Sequence, residues 1–214
     1  MAAAALDLPR VLPVFAVSGV LLLPGAKLPL TVFEPRYLAL VDAALGAGRM
    51  LALVQPAPEA AQGAAPDLYG IGTLARITNF AESGDGRYLI TLSGVTRFRL
   101  AGEVEGRAGY RRVVAEYAPF AADLASPPNL PVDRRRLTMA VTTYLARQGL
   151  ATDFAKLEKA SDAELVTNLA MAAPLSPEEK QAILEVATVQ DRASLMIALF
   201  EMALLTESGE ALLH

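Results

Sequence analysis

The polar side chains with the most specific spacing in this 214-residue chain stand in the run Phe33-Glu34-Pro35-Arg36-Tyr37. Pro35 suits the first turn of a helix, because its missing N–H is not needed there. A carboxylate is favoured beside a helix N-terminus, so Glu34 is expected to cap the helix or to pair with a neighbouring cation. Stability is the simpler interpretation of this run, and a contact surface for another molecule is the alternative.

The composition excludes chemistry that needs cysteine or a histidine inside the fold. The chain has no cysteine, and its only histidine is His214, the last residue. Disulfides, thiolate nucleophiles, zinc sites made from cysteine or histidine, and a Ser-His-Asp triad inside the fold are therefore excluded. We expect no metal site and no cofactor.

The charge balance disfavours nucleic acid as a partner. The formal net charge is −4 and the isoelectric point is about 5.1, whereas a nucleic-acid surface normally gives a basic domain or a basic face. The best argument for RNA is a strip of arginines on adjacent predicted strands: Arg97, Arg99, Arg111 and Arg112. Phe98 is the one aromatic among them, and strand alternation predicts that it points into the core, where no base can stack on it.

The first half of the chain has the apolar alternation of antiparallel strands, as in Tyr69 to Ile77 and Tyr88 to Leu92. One helix, Pro35 to Leu45, is predicted between the strands. The uncharged run Val11 to Ala26 has sixteen residues, fewer than the roughly 20 that a membrane span needs, and prolines interrupt it. We therefore expect core strands there, with a corner at Pro24-Gly25. The first half of the chain is expected to form a compact, mostly β barrel.

The second half has helical periodicity. Ser161 and Ser176 each precede a glutamate by three residues, the pattern of a capping box, and a very apolar last helix is predicted from about Asp191 to Leu205. A proline-rich stretch separates the halves. The predicted fold class is α+β, with a β subdomain at residues 1–120, a linker at 121–131 and a helical subdomain at 132–214.

Four short motifs follow one another along the β half: Leu23-Pro24-Gly25, Phe33 to Tyr37, Gly72-Thr73 and Asp85-Gly86-Arg87. Together they resemble the N-terminal substrate-recognition domain of the Lon family of ATP-dependent proteases, over about Leu12 to Leu205. The resemblance implies a pseudobarrel similar to the PUA type, with one inserted helix, followed by a C-terminal α-helical bundle. It also implies a surface that handles substrate polypeptide. The candidate contact residues are Leu22, Leu23, Pro24, Phe33, Glu34, Arg36 and Tyr37.

The catalytic motifs of a Lon protease are missing from the sequence. No Gly-Lys pair occurs, so there is no phosphate-binding loop of the form G-x-x-x-x-G-K-[ST], and the Pro-Ser-Ala-Gly motif of the protease nucleophile is absent. With 214 residues we expect no room for a further domain. The sequence thus predicts a non-catalytic, cytoplasmic module that binds unfolded or peptide segments, alone or with proteolysis machinery. The alternative is a PUA-like barrel that binds RNA or a small molecule.

Overall fold

The structure is a computed structural model, which describes residues 8–58, 67–125, 131–150 and 159–210, with side chains as far as residue 205. The chain divides into two compact units, Met1–Ser126 and Pro127–His214. Residues 126–130 of the predicted linker lie outside the described residues, so the predicted subdomain limits stay predictions. Residues 121–124 of that linker belong to a 3₁₀ helix, Ala118–Leu124.

Among its described residues, the first unit contains one sheet of six strands. They are β1 (Val11–Ala16), β2 (Lys27–Val32), β3 (Met50–Val54), β4 (Ile71–Glu82), β5 (Tyr88–Arg107) and β6 (Tyr110–Glu116). The strand order is β2-β5-β4-β3-β1-β6, and β5 also pairs with β6. Five of the strands are thus joined in a closed ring of pairings, while β2 is bound to β5 alone. Only the β1–β3 pairing is parallel among the described strands.

Inward-facing apolar side chains fill the space between these strands. Strand alternation predicts that Phe98 is buried, and it is completely inaccessible to solvent. Its ring packs edge-on against Tyr117, whose hydroxyl donates to the carbonyl of Pro9 at 2.7 Å. The central cluster consists of Leu12, Val14, Met50, Ala52, Val54, Leu74, Phe98, Val113 and Ala115.

Helix α1 (Pro35–Gly46) connects β2 to β3 and begins and ends within one residue of the prediction. It packs against β1, β3 and β6, and the side chains that it buries recur at helical spacing: Tyr37, Leu40, Val41 and Ala44.

The second unit contains four helices among the described residues: α2 (Arg134–Arg147), α3 (Asp162–Ala172), α4 (Pro177–Glu185) and α5 (Val189–Glu210). Helix α5 packs against the other three, as its apolar composition predicts. Both predicted capping boxes are present, at Ser161 and at Ser176. The buried guanidinium of Arg192 donates to two carbonyls at the end of α4, those of Ile183 and Val186.

Candidate functional site

The corner between β1 and β2 is held against the sheet by main-chain hydrogen bonds. Gly25 has φ of +80°, a left-handed conformation that glycine adopts without strain. Its N–H donates to the carbonyl of Gly94 at 2.9 Å, and the N–H of Gly94 donates to the carbonyl of Ala26 at 2.9 Å. The buried hydroxyl of Thr73 donates to the carbonyl of Leu22 at 2.7 Å. These bonds fix the Leu-Pro-Gly corner on β4 and β5.

Two glycines permit the close approach of main chain that this arrangement requires. A β-carbon at Gly94 would lie 2.2 Å from the carbonyl oxygen of Leu23, and one at Gly72 would lie 2.7 Å from a methyl group of Val54. Neither position has room for a side chain. The Gly72-Thr73 pair thus has a structural role: Gly72 allows β4 to pass close to β3, and Thr73 holds the corner.

At the start of α1, Glu34 pairs with a cation and does not cap the helix with its side chain. Its carboxylate accepts from Nε of Arg36 at 2.9 Å, while its carbonyl accepts the N–H groups of Tyr37 and Leu38. The Arg36 guanidinium lies 4.4 Å from the centre of the Tyr37 ring, in cation–π geometry. Of the two predicted roles for Glu34, ion pairing is therefore the one observed.

Tyr37 anchors α1 to β1. Its ring stacks on Phe15 with centroids 4.3 Å apart, and its hydroxyl donates to the carbonyl of Ala16 at 2.7 Å. Burial raises the pKa of the Tyr37 phenol, and the nearby Arg36 guanidinium partly opposes this shift. The side chain is only 5% exposed, so its contacts stabilise the fold.

The structure separates the candidate contact residues into two groups. Leu22 and Leu23 are at most 1% exposed, and with Tyr37 they lie in the core, so the expectation that their side chains form a contact surface is corrected. The reason is the corner itself, because its bonds to β4 and β5 draw these side chains inward. Phe33 is 65% exposed and Arg36 is exposed, while Pro24 and Glu34 are half-buried. Any role of this second group in binding stays a prediction.

The prediction that Arg97 belongs to a surface strip is wrong. The residue is 3% exposed, and its guanidinium forms two hydrogen bonds with the carboxylate of Asp123, at 2.9 and 2.7 Å. Alternation predicts that Arg97 points out of the sheet, but the 3₁₀ helix covers this position. Phe120 of that helix lies 4.8 Å from the Arg97 guanidinium.

Acidic and carbonyl groups engage the rest of the arginine strip. Arg99 pairs with Glu116 at 3.5 Å, and Arg111 pairs with Glu103. The guanidinium of Arg112 donates to the carbonyl of Glu105 at 3.4 Å. The strip is thus interrupted by carboxylates and is not a continuous basic surface.

An exposed face at the β2 end of the sheet was not predicted from the sequence. Strand pairing places three rows of side chains across β2, β5 and β4: Lys27–Ser93–Arg76, Pro29–Thr91–Asn79 and Thr31–Leu89–Ala81. Paired residues share a face of the sheet, and none of these nine is buried. We call the second and third rows the outer patch. Alternation in Lys27 to Val32 could have indicated the β2 part, but not its neighbours.

A shallow cavity of about 210 Å³ lies at this outer patch, lined by residues 29–31, 79 and 89–91. Leu89 is 46% exposed there, and the 65% exposed Phe33 follows the end of β2. Elsewhere in the described part of the chain, no group of three or more acidic or histidine residues could hold a metal ion. No described helix combines the length and apolar character needed to cross a bilayer.

Residues 11–201 match the model of the ATP-dependent protease La (LON) substrate-binding domain. The chain therefore belongs to this family of Lon substrate-binding domains, and the resemblance found in the sequence is confirmed. Lon protease 2 of Myxococcus xanthus is 28% identical over 196 residues, and Lon protease 1 of Sorangium cellulosum is 29% identical over 212 residues. These alignments cover 90% and 94% of this chain but only 24% and 26% of the two relatives.

Solved structures show the same fold. The crystal structure of a Lon N-terminal domain protein from Xanthomonas campestris has a TM-score of 0.61 and 25% identity, covering 88% of this chain and 97% of that one. The N-terminal domain of a Mycobacterium avium complex Lon protease also has a TM-score of 0.61, with 18% identity and coverage of 90% and 98%. The coarse fold prediction, a chain that combines a β-sheet with helices, is confirmed.

Proposed function

We propose that this chain binds exposed segments of unfolded polypeptides and has no catalytic activity of its own. The observation that carries the proposal is the match of residues 11–201 to the substrate-binding domain of Lon, while the chain spans only about a quarter of its Lon relatives. The finer fold, a PUA-like pseudobarrel followed by a helical bundle, is part of this proposal, and the closed ring of strand pairings supports it. An association with proteolysis machinery and a cytoplasmic location are also part of this proposal.

Exposed apolar side chains support a polypeptide as the ligand. Phe33 and Leu89 are large, apolar and accessible, and the ends of β2 and β5 place both at one end of the sheet. Their burial against a partner would supply roughly 25 cal/mol per Å² before the costs of association. A small-molecule site has less support, because the cavity of about 210 Å³ is smaller than the roughly 300 Å³ at which such sites begin.

The first prediction is that the purified protein neither hydrolyses ATP nor cleaves unfolded casein. The sequence contains no phosphate-binding loop and no Pro-Ser-Ala-Gly nucleophile motif, so neither reaction has its catalytic groups. Phosphate release and the appearance of acid-soluble peptides measure the two activities. Turnover that copurifies with the chain through two chromatographic steps would contradict the proposal.

The second prediction is that a labelled unfolded polypeptide binds with micromolar affinity, about −8 kcal/mol, and that this affinity changes little with salt. Apolar burial is weakly sensitive to salt, whereas RNA binding falls steeply as salt rises. Fluorescence anisotropy at two salt concentrations measures both ligands. Phe33→Ser is expected to weaken polypeptide binding several-fold.

Met139→Ser is the matched control, because Met139 is 61% exposed on the second unit and outside the proposed surface. Arg111→Ala with Arg112→Ala tests the remaining arginine strip without disturbing the buried Arg97. Binding of RNA alone, abolished by these arginine substitutions, would replace the polypeptide proposal with the RNA alternative.

A further inference from the structure

The outer edge of β2 has main-chain groups that no described strand engages. In an antiparallel pair, alternate residues exchange hydrogen bonds with the partner strand. The N–H of Gly94 donates to the carbonyl of Ala26, so the register assigns bonding positions toward β5 to Leu28, Leu30 and Val32. The N–H and C=O groups of the intervening residues, among them Lys27 and Thr31, therefore point away from β5.

Pro29 fits this assignment. It has no N–H to donate, and proline occurs in sheets on edge strands where its nitrogen faces outward. It stands opposite Thr91 in the register, at a position where no bond to β5 is required. The edge thus offers the donors of Lys27 and Thr31, together with the carbonyls of these residues and of Pro29, to a chain in extended conformation.

Charge is distributed unevenly along this edge. Lys27 and Arg76 both stand opposite Ser93, so their α-carbons are about 10 Å apart across three strands. Both are exposed, and the ion pairs of the described residues include neither of them. At the other end of β2, the nearby Arg36 is balanced by Glu34. One end of the edge is therefore cationic, whereas the other end carries the exposed carboxylate of Glu82, which stands opposite Tyr88 in the row of Val32.

We infer that an extended polypeptide segment binds by adding a strand to the edge of β2, with a carboxylate at the end beside Lys27. This inference rests on the proposed function and specifies its ligand. Main-chain hydrogen bonds hold the segment. Every second side chain of the segment is apolar and lies beside the outer patch and near Phe33. An acidic side chain or a C-terminal carboxylate complements the pair Lys27 and Arg76. The preferred ligand is thus an apolar stretch that is prone to form a strand and that ends in an acid.

Modified peptides test whether main-chain hydrogen bonds hold the segment, and the protein itself is left unchanged. The probe is a ten-residue peptide of alternating valine and threonine with two aspartates at one end. Two isomers carry N-methyl groups, one on every odd residue and one on every even residue. A strand that adds to an edge uses the N–H groups of only one set, so one isomer is expected to lose at least tenfold in affinity while the other binds like the parent. Equal affinities of the two isomers would overturn the inference.

Reversal of the two positive charges tests their predicted attraction to a carboxylate of the ligand. Lys27→Glu with Arg76→Glu is expected to weaken binding of the aspartate peptide about three- to tenfold and to strengthen binding of a peptide with two lysines at that end. Both effects should shrink as salt rises. Arg135→Glu with Lys159→Glu, at exposed positions of the second unit, lowers the net charge by the same amount and should change neither affinity. An unchanged preference for aspartate in the variant with Lys27→Glu and Arg76→Glu would overturn the charge assignment.

The same titrations separate this inference from the proposed function. If the wild-type protein binds an unfolded polypeptide such as carboxymethylated casein, but both N-methyl isomers bind alike, the proposed function stands and strand addition fails. If the wild-type protein binds neither casein nor the peptides, both fail together.

Discussion

Replacement of Gly94 by alanine is expected to lower the free energy of unfolding by about 3 kcal/mol. The new β-carbon would lie 2.2 Å from the carbonyl oxygen and 2.9 Å from the carbonyl carbon of Leu23. Both are main-chain atoms, so no rotation of a side chain relieves the clash. The corner must move away from β5, and this movement weakens the hydrogen bonds of Gly25 to Gly94 and of Thr73 to Leu22.

Urea denaturation followed by circular dichroism measures this change. Gly102→Ala is the matched control, because Gly102 lies in the same strand and a β-carbon there would meet no atom within 4 Å. We expect the control to change the free energy of unfolding by less than about 1 kcal/mol. Equal losses of stability in the two variants would show that the close approach of the corner does not restrict position 94 to glycine.

Removal of the Arg97 side chain is expected to cost about 3–5 kcal/mol, because it leaves the Asp123 carboxylate buried without its partner. The side chains of this pair are only 4% and 10% exposed. Asp123 also accepts the main-chain N–H of Arg97 at 2.9 Å, so the pair fastens the 3₁₀ helix to β5. Arg97→Ala is therefore expected to melt the contacts of this helix as well as to destabilise the sheet.

Two comparisons distinguish this effect from a general loss of positive charge. Arg99→Ala removes an arginine two positions along the same strand, whose pair with Glu116 is 59% and 51% exposed, and it should leave stability nearly unchanged. The double variant Arg97→Ala with Asp123→Ala leaves no unpaired charge, so it should cost less than the sum of the single variants. Additive costs would contradict the assignment of a buried, coupled pair.

Local sequence was sufficient for the helices and for much of the strand pattern. The capping boxes at Ser161 and Ser176 depend on groups three residues apart, and the start of α1 depends on Pro35 at its first position. Period-two alternation likewise located Phe98 in the core. The motifs that resemble the Lon substrate-binding domain were also visible in the sequence, because each is a short run of residues that needs no partner to be recognised.

The surface could not be derived in the same way. Leu22 and Leu23 are apolar, and an apolar residue in a turn can serve either the core or a contact surface. Only the bonds from Thr73 and Gly94, more than fifty residues away, decide that they are buried. Arg97 was misplaced for a related reason, since alternation describes which side of a strand a residue faces but not what covers that side.

The sequence by itself determined the family of this protein, the start of its helices and the lack of the catalytic motifs of Lon. The tertiary structure alone decided which polar and apolar groups remain accessible. The outer patch and the cationic end at Lys27 and Arg76 arise where three strands from distant parts of the chain lie side by side. Strand register is a long-range property, because each row of side chains depends on pairings that no local pattern specifies.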